Sequence, residues 1–204
     1  TSARGFVSKS SPFGTVEDPF IPAELCFGAR GRFFARSLDI DMKLLGQCMV
    51  ASAKHKGASV VEVLVNCVIF NDGTHKDVAQ REVRDDRSIV LRHGEKMIFG
   101  KEKNKGIVLD GLRLKAVTIG EDGYTLDDVL THDAHEVDPT LHTMLAMMGT
   151  NDDMPVAFGV IREVEDICYD QAVTDQIEEV RAQKPGIRSL EDVLLKDAYW
   201  EVKE

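Results

Sequence analysis

The chain has 204 residues, of which 43% are apolar and 29% charged, with 35 acidic against 25 basic side chains and a formal net charge of −10. That length supports one ample core, or one domain with a substantial appendage. An acidic chain with no basic cluster argues against nucleic acid as a partner, because phosphate-backbone affinity comes mainly from Lys and Arg, and no apolar run approaches the ~18 residues of a membrane span.

Cys26, Cys48, Cys67 and Cys168 lie far apart, with no CxxC among them. A zinc knuckle or a complete iron–sulfur motif is therefore not expected within this chain, nor is a disulfide framework in a chain of this size. Together these features predict a reduced, cytoplasmic protein without membrane or nucleic-acid contact. The chain starts Thr1-Ser2-Ala3, which reads as part of a longer polypeptide.

Taken in order, residues 8–22 are rich in Pro, Ser and Gly and predict a loop, ordered by burial of Phe13, Val16, Phe20 and Ile21. A short helix follows over 22–30, with Pro22 in its first turn and Gly31 as its stop, then a strand over 32–36. Residues 39–56 are the clearest helix: Ile40, Leu44, Cys48 and Ala51 recur at helical spacing, with Ser37 or Asp39 as cap and Gly57 at the end. The strand at 58–65 is apolar on both faces except at Glu62, which predicts a parallel strand sandwiched between layers. Residues 22–66 thus read α-β-α-β, part of a doubly wound, mostly parallel sheet, with a more irregular α+β extension beyond residue 71.

In that extension, short strands are expected near 89–91 and 97–99, a long polar loop over 100–111, and a strand over 115–119. A short helix is expected at 125–130, a helix at 138–148 with Asp138 as cap, and a strand at 155–161. Residues 169–183 form an amphipathic acidic helix, and Ser189 with Asp192 resembles the opening of a last one.

Several groups could carry chemistry. His132 and His135, with Asp133 and Asp138, have a spacing that can share a metal, but an acidic loop between helices is the favoured reading. The glycines and lysines of 100–111 match neither a P-loop nor a Rossmann fingerprint, and a solvated loop is favoured there too. Cys26, Cys48 and Cys168 read as small hydrophobes packed in the interior. Cys67 follows the strand at 58–65 and precedes the sharp turn Asn71-Asp72-Gly73. Its position outside the carboxyl end of a strand leaves packing and a ligand role both open.

The run NCVIFNDG (66–73) resembles the segment after the last strands of the thiamine-diphosphate domain in 2-oxoacid:ferredoxin oxidoreductase beta subunits. IPAELCFGARGRFFARS (21–37), AKHKGASVVEVL (53–64), HGE and FGKEKNKGIVLDG (93–111), HDAHEVDPTL (132–141) and PVAFGVIREVEDICYD (155–170) are similar to that family in the same order. The NC wording at 66–67, in place of Pro-Cys, is more similar to the 2-oxoglutarate branch.

The resemblance implies a thiamine-diphosphate-binding fold, with residues 1–71 ending that domain and 72–204 forming the beta subunit's carboxyl-terminal region. It also implies oxidative decarboxylation of a 2-oxoacid to an acyl-CoA, with thiamine diphosphate, Mg²⁺ and a 4Fe-4S cluster as cofactors. Ferredoxin is then the electron acceptor, and an alpha subunit is the partner. It assigns Cys67 as one ligand of the cluster. The family's GDGD motif and the other three cluster cysteines have no counterpart here, so this stretch by itself is expected to be inactive. Thr1 and Ser2 would fall just past the diphosphate loop and are not assigned as ligands. The rival reading is a non-catalytic acidic α/β interaction module whose cysteines are all structural.

Overall fold

Residues 22–64 fold in the expected α-β-α-β order. Helix α1 (Pro22–Gly28) starts on Pro22. It ends where the Gly31 N–H bonds back to the Cys26 carbonyl at 2.7 Å and the Arg30 N–H to that of Phe27 at 3.0 Å, a Schellman closure. Arg30 takes the left-handed position at φ 59°. Gly31 must then be glycine for lack of room, since a Cβ there would stand 2.4 Å from Cys26 Sγ. Strand β1 (Phe33–Leu38) is buried at all six positions, and burying Phe33 and Phe34 contributes roughly 1.5–3 kcal/mol each.

Helix α2 (Met42–Lys54) is capped by Asp41, whose carboxylate accepts from the Leu44 N–H at 3.0 Å. Neither expected cap serves. Ser37 is buried inside β1, and the Asp39 N–H is drawn to the Leu64 carbonyl at 3.1 Å. Gly57, at φ 107°, turns the chain into β2 (Ser59–Leu64).

The structure is a computed structural model that describes residues 2–151, 153–183, 189–195, 200 and 202. Strand β3 (Ser88–Leu91) and the late strand β7 (Val156–Glu163) complete a four-stranded sheet of order β2-β1-β7-β3. The β1/β2 and β3/β7 pairs are parallel and the β1/β7 pair is antiparallel, so the α/β sheet is mostly parallel. The strand sandwiched between layers is β1, not β2 as the apolar pattern suggested. β2 stands at an edge of the sheet and is half-buried throughout: α2 packs against it, and no strand pairs with its outer edge among the described residues. In β7, Gly159 adopts φ 95°, and a Cβ would meet the Leu91 carbonyl oxygen at 2.6 Å. The glycine admits the close approach of β3, while the register shift against β1 falls at Ile161, between the Phe34–Arg162 and Ala35–Val160 pairs.

Between β2 and β3 lie α3 (Lys76–Ala79) and α4 (Arg81–Arg87). A second sheet, antiparallel, follows: β4 (Ile98–Phe99), β5 (Lys105–Asp110) and β6 (Arg113–Thr118). The polar loop expected over 100–111 is therefore a strand in its second half, since Gly106, Ile107 and Val108 are buried. The helix expected at 125–130 is a 3₁₀ turn at Leu126–Asp128, and α5 spans Thr140–Met147.

One core cluster joins Phe34, Ile107, Leu145 and Ile161 across both sheets, α1 and α5, and a second joins Phe33, Ala35, Cys48 and Phe158 beneath α2. Of the apolar residues expected to order the loop at 8–22, Phe13, Val16 and Phe20 are exposed, and Ile21 alone packs on the core. Residues 167–204 form a compact unit of their own, with α6 (Tyr169–Gln183) over the expected span and α7 (Leu190–Leu194). The side chain of Asp192, expected to close its capping box, lies outside the described residues. Among the described residues no helix is long and apolar enough to cross a membrane.

The polar exception in β2 has a partner. Glu62 stands opposite Arg36 in the β1/β2 register and accepts from its Nε at 2.6 Å, while Arg36 Nη1 donates to the Ala146 carbonyl at 2.9 Å. Both side chains are largely buried. Removing one member of such a pair strands the other in the interior, at a cost of about 3–5 kcal/mol, whereas replacing both with apolar groups is nearly neutral. Arg36→Met is expected to lower the unfolding free energy from denaturant titration by that order, and Arg36→Met with Glu62→Leu to recover most of it. Equal losses in the two variants would show that packing, not charge, is at stake.

Candidate functional site

β2 ends at Leu64, and the chain then runs through an exposed loop to α3. The Asn71 N–H bonds to the Cys67 carbonyl at 2.9 Å, in a short antiparallel bridge between the two residues. At the base of the loop the Asn66 side chain spans to its far end: Oδ1 accepts from the Gly73 N–H and Nδ2 donates to Asp72 Oδ1, both at 2.8 Å. Asn71 Nδ2 donates to Thr74 Oγ1 at 3.1 Å, and Gly73 turns the chain at φ 76°.

Cys67 itself is exposed. The backbone N–H groups of Phe70, Ile69 and, more weakly, Asn71 face its sulfur and hold the thiol below its ordinary value of 9.0. A thiol in such a field favours its thiolate, the form that is both nucleophile and metal ligand. Beside it in the chain Val65, Val68, Ile69 and Phe70 are all exposed, and grouped exposed apolar residues are of the kind that marks contact sites.

The other cysteines are unlike it. Cys26 and Cys48 are buried, as expected, and burial pushes both thiols up, with Asp41 adding to the effect at Cys48. Cys168 is not a core residue. It is half-buried, its Sγ donates to Asp170 Oδ1 at 2.8 Å, and that hydrogen bond raises its pKa. One cysteine in four therefore has surroundings that favour a thiolate.

The histidine run does not converge. His132 is buried at 1% exposure, not in a solvated loop, and its Nε2 donates to the Val160 carbonyl at 3.0 Å. His135 Nδ1 donates instead to the Glu163 carbonyl at 2.5 Å, and its ring packs at a tilt against that of His93. Among the described residues no three His, Cys, Asp or Glu side chains stand together as a metal site. In the 100–111 segment Lys105 is already engaged, at 2.8 Å from Asp86 Oδ1.

Sequence reasoning missed two features. Arg162 lies in the interior and donates to the carbonyls of Gly31, Glu136 and Val137 and to His142 Nδ1. A charged residue inside the apolar run of β7 was the signal for it. The other is Asn66, for which an amide side chain beside Cys67 and ahead of Asp72-Gly73 was the signal.

No family model matches the chain. It is 33% identical over 203 residues to the 2-oxoglutarate oxidoreductase subunit KorB of Mycobacterium tuberculosis, covering 99% of this chain and 54% of that protein. Over 67 residues it is 34% identical to the 2-oxoglutarate synthase subunit KorB of Archaeoglobus fulgidus, covering 33% of this chain and 25% of that subunit. Over 77 residues it is 32% identical to the 2-oxoacid:ferredoxin oxidoreductase subunit beta of a Sulfolobus species, covering 38% and 25%. The chain thus spans about half the length of the relative it matches throughout. Among solved structures, the 2-oxoglutarate:ferredoxin oxidoreductase of Magnetococcus marinus, with 2-oxoglutarate, coenzyme A and succinyl-CoA bound, superposes with a TM-score of 0.52. That match covers 96% of this chain and 50% of the other at 12% identity, a likeness of fold.

The buried histidines set a pH dependence. Burial pushes His132 down from 6.5 to about 4. His142 is lowered too, first by burial and then by the Arg162 cation, whose N–H its Nδ1 accepts. The unfolded chain therefore binds these protons before the folded one does, so their contribution to stability is full above about pH 6.5 and is lost as pH falls toward about 4. The lowered carboxylates, Asp86, Asp128, Asp133, Asp138 and Asp170, act only from about 3.8 downward. Thermal midpoints are expected to fall between pH 6.5 and 4, and less steeply in His132→Leu. A midpoint that is flat across that window would refute the assignment.

Proposed function

From the homology of this chain to the beta subunits of the 2-oxoacid:ferredoxin oxidoreductases, we propose that it is part of such a subunit. The whole enzyme oxidatively decarboxylates a 2-oxoacid, here 2-oxoglutarate, to its acyl-CoA and passes electrons to ferredoxin. The observation that carries this reading is the 33% identity over 203 residues, which reaches nearly every residue of the chain. On this reading residues 1–71 close the thiamine-diphosphate domain, residues 72–204 form the subunit's carboxyl-terminal region, and an alpha subunit completes the enzyme in the cytoplasm.

The donor chemistry at residue 67 fits an iron–sulfur cluster. An Fe–S centre takes soft thiolates, and its potential is set by N–H donors to sulfur and by burial. Cys67 supplies the thiolate, and the N–H groups of Phe70, Ile69 and Asn71 stabilise its charge. It supplies one ligand, and the others are assigned to the rest of the subunit. When bound, the cluster carries single electrons, and thiamine diphosphate with Mg²⁺ acts as the electron sink for decarboxylation.

This chain's own part is to hold a sulfur at the carboxyl end of β2. Its apolar rim of Val65, Val68, Ile69 and Phe70 would exclude water once the alpha subunit or the remainder of the beta subunit covers it. A module whose cysteines are all structural is disfavoured by the exposed Cys67.

The test is iron and acid-labile sulfide in the full-length protein co-expressed with its alpha partner. Cys67→Ala is expected to lose the cluster and ferredoxin reduction. Equal iron in variant and wild type would remove Cys67 from the ligand set.

A further inference from the structure

The loop that carries Cys67 leaves β2 at one end and enters α3 at the other. Most of its residues, Asn66 among them, are exposed. Core packing therefore does little to hold its shape, and hydrogen bonds must do so. One side chain bridges its two ends. The Asn66 amide is fixed in orientation by its partners, since the Gly73 N–H can only donate and the Asp72 carboxylate can only accept. Residues 67–71 are thereby held as a closed arch over one amide, with the Cys67–Asn71 bridge inside it.

We propose that Asn66 is a positioning residue, whose side-chain amide clamps Gly73 and Asp72 so that the arch presents Cys67 to the cluster in a single conformation. The inference deepens the functional reading given above and rests on it. Groups that orient a metal's ligands without touching the metal are as much part of a site as the ligands, and losing one costs about 10–100-fold in metal affinity or activity. Asn66 is suited to that role because both halves of its amide are used, one on the main chain and one on a charged acceptor. An alanine there releases both ends of the arch at once. An aspartate keeps the bond from Gly73 and sets two carboxylates against each other. Asn66→Asp with Asp72→Asn reverses the pair, keeps the net charge and restores both hydrogen bonds.

The experiment uses the full-length subunit co-expressed with its alpha partner, in four forms: wild type, Asn66→Ala, Asn66→Asp and the Asn66→Asp/Asp72→Asn reversal. Two readouts are followed, amide hydrogen exchange at Gly73 and the rate at which a chelator removes iron. Asn66→Ala is expected to exchange at Gly73 and lose iron about tenfold faster. Asn66→Asp is expected to lose iron faster while keeping part of the Gly73 protection, and the reversal to return both rates to within about twofold of wild type, a recovery that follows from restoring the same bonds. Wild-type rates in Asn66→Ala, or a reversal no better than Asn66→Asp, would overturn the proposal. Failure of the underlying reading looks different: Cys67→Ala would keep its iron, while the Gly73 exchange would still respond to Asn66.

Discussion

A guanidinium held in the interior by three main-chain carbonyls and an imidazole ties the strand-and-helix layers together. Arg162 lies on β7, the strand that pairs with both β1 and β3. It reaches Gly31 at the entry to β1, Glu136 and Val137 in the connection before α5, and His142 on α5 itself. A buried charge is tolerated only when its donors are answered. Each of these irregular segments is therefore obliged to bring an acceptor to one place. His142 can accept only while neutral, so the same contact that orders the layer also makes it sensitive to acid.

Arg36 does similar service on the neighbouring strand, with a carboxylate in place of the imidazole. Its reach from Glu62 on β2 to the Ala146 carbonyl at the end of α5 couples the edge strand to the helical layer. β2 thus keeps its register while half its surface lies open, and the loop that begins two residues after it starts from a fixed point. Cys67 inherits that placement. Its surroundings are built from turn residues and main-chain N–H groups, and the apolar side chains beside it face outward. On the function proposed above, this site is half of an interface, where a thiolate and a hydrophobic margin await a partner that supplies the dryness a redox centre needs.

Local pattern made much of this legible. The spacing of Leu44 and Cys48 marked α2, Pro22 and Gly31 bracketed α1, and the acidic span 169–183 coincides with α6. Cys67 was singled out from its place after an apolar strand and from its resemblance to a family segment. The failures share a cause. The 100–111 stretch reads as polar because its lysines are conspicuous, yet Gly106 and its neighbours are buried by contacts with residues such as Val129. The buried His132 goes against its usual environment because its partner, the Val160 carbonyl, lies 28 positions along the chain.

The sequence alone was enough for α1, β1, α2 and β2 in their order and for β7 and α6, since periodicity, capping and turn chemistry act over a few residues; it did not mark α3, α4 or β5. Tertiary structure settled which strand is central, where β7 inserts, and how two arginines and one asparagine are used. Gly31 and Arg162 are 131 positions apart, and Arg36 and Ala146 are 110 apart. No window of local pattern contains such pairs. They arise because buried polar groups must find partners wherever the folded chain can provide them.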